Sequence, residues 1–432
     1  MRIGFKKINV KKLWLILYTF FAIFEPPFLP VSSIYITGFL TIVLIAIEHK
    51  AQLPIEVLKS SNIYTVFKIV FLMLCQLIIV GLIDTFFIEN VDLISNRLRC
   101  VNQLVILTSI QLLNIYYILL QAKKYEYSLK NLFEILFYAA VIQGLLALTA
   151  YLIPGIRSYF LSNMSDVFNS EWTLQRRGYG FSQVLLDTFG YGMALVGGDL
   201  LIVLTKNKLK KAIFLALILF AIFMNARTGI IVFSIAVIVY LLKSNKLEIG
   251  LIKIAFTAAI LIIGYLYIIP FIINYGMNSN SYTIQWIVDP INEIYGIISG
   301  NSDMTNLESL TFVSHIIEFP SNVFQLIFGT GHSVYGTSNI LGFSTDIGYY
   351  NMIWIYGFIG TLLWYSLMIY LFVKAFRATP SINYKAICIF CLISYFIVQV
   401  KANLLGYNPG TFVTYFTIFV LIYYGKHPEL ER

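Results

Sequence analysis

Residues 66–83 read VFKIVFLMLCQLIIVGLI, with Lys68 the one charged position and Gln76 the one amide. About 20 apolar residues at about 1.5 Å each carry a helix across the roughly 30 Å hydrocarbon core of a bilayer. Similar runs recur on both sides of this one. Together they predict twelve spans, at 13–29, 31–47, 66–83, 102–121, 132–153, 181–205, 210–225, 228–242, 252–273, 347–373, 384–400 and 409–424. The composition agrees. Of 432 residues 59% are apolar and 12% charged, whereas a soluble domain is about half apolar and about a quarter charged. A soluble enzyme is excluded. With 27 glycines and 4 cysteines, collagen-like and disulfide-scaffold classes are excluded too. The expected fold is an all-α polytopic membrane protein, one domain over 1–432, with a large, partly helical outer loop at 274–346 between spans nine and ten.

Charge predicts the orientation. Twelve spans put both ends of the chain on one side, and 23 of the 30 basic residues then fall on that side. Arg97, Arg99, Arg157, Arg176, Arg177, Arg227 and Lys401 fall on the other. The positive-inside rule makes both termini cytoplasmic. The first span follows Lys6, Lys7, Lys11 and Lys12, but Glu25-Pro26-Pro27 replaces a small-residue cleavage site, so it reads as an uncleaved helix. The net charge of +9 reports topology rather than a nucleic-acid partner. Residue identity carries more. Twenty of 21 lysines are inside, while six of nine arginines are outside. Topology needs only positive charge, whereas a guanidinium is a flat fork suited to two-point binding of phosphate or carboxylate. Pairing with outer acids is the plainer account of any one of them.

Several chemistries lack their motifs. There is no P-loop, HExxH, zinc spacing or DxD. Cys388 and Cys391 form a CxxC inside an apolar run, without the βαβ setting of a redox motif, and read as packing residues. Glu25, Asp187 and Asp199 lie toward span ends, so a midplane proton or ion relay is not evident. The sequence calls for no cofactor and no metal.

Three places could carry chemistry. Arg227, in MNARTGI, turns between two spans bounded by Lys211 and Lys243. Sixteen residues on either side rise only about 24 Å, so the turn is recessed and its arginine needs a partner. Gln175-Arg176-Arg177-Gly178-Tyr179-Gly180-Phe181 enters span six, with two cations beside glycines that let backbone approach a ligand; Asp187 could orient one of them. The end of the long loop reads Phe328-Gly329-Thr330-Gly331-His332, then Ser344-Thr345-Asp346-Ile347-Gly348-Tyr349-Tyr350-Asn351. Asp346 or His332 could accept a proton from an attacking hydroxyl, and His315 ranks behind them. Tyr349, Tyr350, Trp172 and Trp286 could stack on sugars, although interface belts are the commoner use of such rings.

RRGYGF, NARTG and FGTG followed by TDIGYYNMIWIYGFIG, set in this topology, resemble the bacterial oligosaccharide repeat-unit polymerases and the related O-antigen ligases. The resemblance implies a metal-independent glycosyltransferase at the outer face of the bacterial plasma (inner) membrane, making lipopolysaccharide or a similar polysaccharide. Its donor would be an oligosaccharide on undecaprenyl pyrophosphate, and its acceptor the non-reducing end sugar of another lipid-linked unit. Membrane lipids surround it, and a chain-length regulator protein is a further partner the resemblance brings. Arg176, Arg177 and Arg227 would hold the pyrophosphate, Tyr349 and Tyr350 the sugars. The ligase branch carries a His-Asn pair where this chain has Asp346, which favours polymerase. A ligase, or a flippase or exporter of lipid-linked oligosaccharide, is the alternative.

Overall fold

In a computed structural model, the structure describes residues 9–26, 33–48, 54–85, 91–162, 180–182, 186–203, 207–225, 227–243, 319–320, 322–334, 347–379, 381–400, 404 and 408–431, with a few isolated positions between 273 and 292. These are 88% helical and contain no strand. In chain order the helices are α1 (Val10–Phe24), α2 (Ser33–Glu48), α3 (Ile55–Ser60), α4 (Ile63–Thr85) and α5 (Val91–Val101). A wide π turn, Asn102–Leu107, joins α5 to α6 (Thr108–Lys124), followed by α7 (Leu129–Leu152) and α8 (Pro154–Ser162). Then come α9 (Leu186–Ile202), α10 (Lys208–Asn225), α11 (Arg227–Leu242), α12 (Val323–Phe328), α13 (Gly348–Ala378), α14 (Ile382–Val398) and α15 (Pro409–Lys426).

Helix covers most of each of eleven of the twelve expected spans; of the ninth, 252–273, only the last residue is described. Four helical stretches are long and apolar enough to cross a membrane: Ile63–Ile83, Ile94–Lys124, Leu129–Leu152 and Gly348–Ala378. The fold is therefore that of an all-α membrane protein. The amphipathic stretches expected in the long loop, 284–298 and 307–319, lie almost entirely outside the described residues.

Local chemistry sets the helix ends. Asn9 caps α1 by accepting from the backbone N–H of Lys11 and Lys12 at 3.1 and 3.3 Å. Asn408 and Thr411 form a reciprocal capping box at the start of α15, with Pro409 as its first residue. The bundle centres on α9, which packs against α7, α10, α11, α14 and α15. Small residues permit this crowding. A Cβ on Gly229 of α11 would stand 2.7 Å from the Gly190 carbonyl oxygen of α9, and one on Gly192 would stand 2.6 Å from the Pro409 ring. In hydrocarbon such close backbone approach is a main source of helix association.

The two ends of the bundle differ. At one, Lys12 meets Glu134 at 2.7 Å, Lys124 meets Glu48 at 2.8 Å and Lys123 meets Glu56 at 2.6 Å. Lys374 donates to Asn62 there at 2.9 Å, and Lys211 to the Leu201 carbonyl at 2.7 Å. The starts of α5, α9, α11, α13 and α15 lie at the other, with the arginines at 97, 157 and 227. Asp199, expected near a span end, is three residues from the end of α9 and fully buried among α9, α14 and α15. Thr417 Oγ1 donates to it at 3.4 Å and the Cys391 thiol lies at 4.0 Å. Cys388 and Cys391 are buried and unbridged.

Candidate functional site

The site grows from a break in α13. At Gly357 the helix departs from helical geometry, with φ at +62°, a region that excludes most side chains. The break frees the carbonyls of Trp354, Ile355 and Tyr356, and buried carbonyls require donors. The end of the long loop supplies them. Thr330 donates to the Trp354 oxygen from its backbone N–H at 2.7 Å and from its hydroxyl at 2.8 Å. Gly331 N–H donates to the Ile355 oxygen at 3.1 Å. Gln76 Nε2, from α4, donates to both the Tyr356 and Phe328 oxygens at 2.7 Å.

This docking demands two glycines. Asn322 caps α12, accepting from Phe324 N–H at 2.8 Å, and the helix ends on Gly329 with φ at +88°. A Cβ on Gly329 would run into the Ile355 carbonyl, and one on Gly357 into the Ile327 carbonyl. Each glycine makes room for the other's backbone. The FGTG signal thus packs on the YGF of the following helix.

Two further walls hold the loop. On α5, Asn96 exchanges hydrogen bonds with the Ser333 backbone at 2.9 and 3.1 Å. Arg97 is 8% exposed and donates from Nε to the Thr330 oxygen at 3.2 Å. On α13, Asn351 Oδ1 accepts from the Ser333 hydroxyl at 2.8 Å and from Val334 N–H at 3.2 Å.

His332 sits inside these walls, 5% exposed, its ring centroid 5.9 Å from that of Trp354. Neither ring nitrogen has a hydrogen-bond partner among the described residues. Burial pushes its pKa down from the ordinary 6.5 to about 4, and the neighbouring Arg97 charge pushes the same way. The imidazole is therefore neutral at pH 7, with one N–H and one lone pair unused. A buried polar atom without a partner typically costs about 1–3 kcal/mol and calls for an explanation.

The other expected site residues divide as follows. Tyr349 donates its hydroxyl to the Phe396 oxygen at 2.7 Å, and its ring packs on Tyr365 at 5.5 Å. Tyr350 stacks on Phe319 at 5.3 Å and 20°, with its hydroxyl buried and unpartnered among the described residues. Arg227 is the first residue of α11, two positions before the Gly229 contact with α9; its side chain lies outside the described residues. So do Arg176, Arg177, Asp346, His315, Trp172, Trp286 and the Asp187 side chain. The segment that follows Arg176-Arg177 is nonetheless anchored. In the amide orientation that satisfies both groups, Gln143 of α7 donates to the Phe181 oxygen at 3.3 Å and accepts from Phe181 N–H at 3.2 Å. The Phe181 ring packs on Phe160 at 4.5 Å.

Sequence reading gave no role to Gln76, Asn96, Asn351 or Gly357, and it counted Arg97 only as one outer arginine among several. Among the described residues, no group of three His, Cys, Asp or Glu side chains is placed to hold a metal ion. No family model matches the chain, and no curated protein matches it.

Proposed function

We propose that this chain polymerises polysaccharide repeat units, moving a glycan from undecaprenyl pyrophosphate to the non-reducing end sugar of a second lipid-linked unit. In this reading it is a multi-pass protein of the bacterial plasma membrane with cytoplasmic termini and an outward-facing site. The observation that supports the reading is that the Gly180-Phe181 anchor after Arg176-Arg177, the Arg227 turn and the docked FGTGH loop all belong to the end of the bundle opposite the lysines. The motifs are far apart in sequence, and a reaction carried out at that one end would use all three.

The chemistry suits arginine. An acceptor hydroxyl attacks the donor's anomeric carbon, the bond from that carbon to the pyrophosphate oxygen breaks, and the lipid pyrophosphate leaves with the bonding pair. Charge grows on the leaving oxygens, where fixed guanidinium groups stabilise it without a metal. The hydroxyl proton needs an acceptor. His332, buried beside Arg97 with a pKa near 4, is a weak base at rest. Asp346, at the entry to α13, is the better assignment.

The test is a deletion strain complemented with Arg227→Ala or Arg227→Lys, read on a polysaccharide gel and by mass of the lipid-linked glycans. Both variants should abolish long chains while single lipid-linked units accumulate and one unit still reaches the lipid core. A normal ladder from Arg227→Ala overturns the role of Arg227. Polymer stranded on the lipid carrier in the deletion would mean a ligase, and loss of all units from the outer face a flippase.

A further inference from the structure

We propose that Lys374 and Lys426, where α13 and α15 end beside the start of α4, hold the phosphate of an anionic phospholipid whose chains lie along α4 and α13. The inference rests on the membrane fold and does not depend on the polymerase reading. It starts from how the lysines at this end of the bundle are matched. Lys12, Lys123 and Lys124 each meet a carboxylate, at 2.7, 2.6 and 2.8 Å. Lys374 does not: its Nζ donates to Asn62 Oδ1 at 2.9 Å and to the Tyr370 hydroxyl at 3.1 Å, both neutral. Lys426 Nζ donates to the Lys59 carbonyl at 3.4 Å. The two cations also act on each other: desolvation, then the Lys374 charge, push the Lys426 pKa below the ordinary 10.5. Glu56 of α3 and Glu429 of the tail, acids on the adjoining elements, are already held by Lys123 at 2.6 Å and by His427 at 3.1 Å. Among the described residues no carboxylate pairs with either ammonium.

Asn62 adds a donor to this corner. It is 5% exposed, its Oδ1 is taken by Lys374, and its Nδ2 has no acceptor among the described residues. Donors and positive charge are therefore in excess, and an anion is the group that balances both. The surroundings select a lipid. Tyr370, exposed beside Lys374, is the amphipathic ring found at headgroup depth. Next to it α13 exposes Ile369, Val373 and Phe376, and α4, packed against α13, exposes Phe71 and Leu72. A free phosphate would use the charges alone. A phospholipid also lays its chains on these apolar faces, and basic sites between helix ends suit anionic headgroups. A zwitterionic headgroup fits poorly, because its own ammonium is repelled by the two lysines. The occupant is thus a phospholipid with net negative charge.

Native mass spectrometry of the purified full-length chain in detergent tests this, with phosphatidylglycerol, phosphatidylcholine and glycerol 3-phosphate as probes. The wild type should bind phosphatidylglycerol more tightly than either of the others. Lys374→Gln combined with Lys426→Gln should weaken that binding about thirtyfold, and Lys426→Gln alone about fivefold. Lys123→Gln combined with Lys124→Gln is the control. It removes the same charge from the same end, but from lysines already paired, and should change binding less than about twofold once salt screens the more distant charges. Melting curves check that each variant is folded, and phosphatidylglycerol should raise the melting temperature of the wild type but not of the Lys374–Lys426 double variant. If that double variant does not fold, Lys426→Gln decides, since Lys426 is exposed. Equal affinity for phosphatidylglycerol and phosphatidylcholine overturns the proposal, as does wild-type affinity in Lys426→Gln. So does an equal loss in the two double variants, which would make the effect one of net charge. Glycerol 3-phosphate binding as tightly as phosphatidylglycerol overturns it too, because the ligand would then be a free phosphate. The gel assay on Arg227 reads neither these lysines nor the bound lipid, so the two readings fail independently.

Discussion

The end of the bundle that carries the lysines and the end that carries the docked loop are held by different physics. At the first, long flexible cations reach acids and carbonyls on neighbouring helices, as Lys124 reaches Glu48 and Lys211 reaches Leu201 O. At the second, two glycines interlock backbone to backbone, Gly329 on the loop and Gly357 in the break of α13. Side-chain ion pairs at a half-exposed surface tolerate loss, because water replaces the partner. Interlocked backbone does not, because a single methyl group must displace a carbonyl that is itself hydrogen-bonded. Sensitivity to substitution should therefore be strongly polarised along the bundle.

The largest effect is expected at the interlock. Gly357→Ala and Gly329→Ala each put a Cβ into a facing carbonyl and force an L residue to positive φ. Either should destabilise the protein by about 3 kcal/mol or more and abolish long-chain product. Thermal melting in detergent, with the gel assay beside it, measures both. An alanine variant that melts with the wild type would mean that the loop does not dock in this way.

Acid should act on the same end. His332 has a pKa near 4 in the folded chain against about 6.5 unfolded, so between these values the unfolded state binds more protons. Stability from this group is complete above pH 6.5 and is lost as pH falls toward 4, by about 3 kcal/mol. The wild type should thus lose melting temperature between pH 7 and pH 5 more steeply than His332→Gln. Parallel curves would remove His332 as the cause.

A milder probe is Gln76→Ala. It takes the donor away from the Tyr356 and Phe328 carbonyls while leaving both glycines in place. A loss of about 1–2 kcal/mol is expected, less than at the interlock and visible as a lower melting temperature. A neutral Gln76→Ala would show that water enters the break of α13.

What could be read from sequence follows the same division. Spans were legible because an apolar run is a local property: residues 66–83 needed no partner to be recognised, and α4 covers them. The π turn and the extension of helix back to Val91 were not, because VDLISNRLRC reads as polar until the loop covers Arg97. FGTG stood out through its glycines. Its contact with Gly357 did not, since the two lie 28 residues apart and nothing in WIYGFIG marks a break in a helix. The burial of His332 was hidden for the same reason: it is made by α5 and α13, not by its neighbours in the chain.

The smallest effect is expected at the lysines and completes the contrast. Lys124 and Glu48 meet at 2.8 Å, with their side chains 45% and 20% exposed. Removing the lysine does not strand the carboxylate, because Gln121 Nε2 donates to it at 2.8 Å and Tyr117 at 3.2 Å. Lys124→Ala should therefore cost less than about 1 kcal/mol, and raised salt should reduce even that. The quantity to measure is the melting temperature of Lys124→Ala relative to wild type at low and high ionic strength. A loss comparable to that of Gly357→Ala would mean that the lysine end is as tightly built as the other. The chain's asymmetry would then lie in charge alone and not in how its two ends are held.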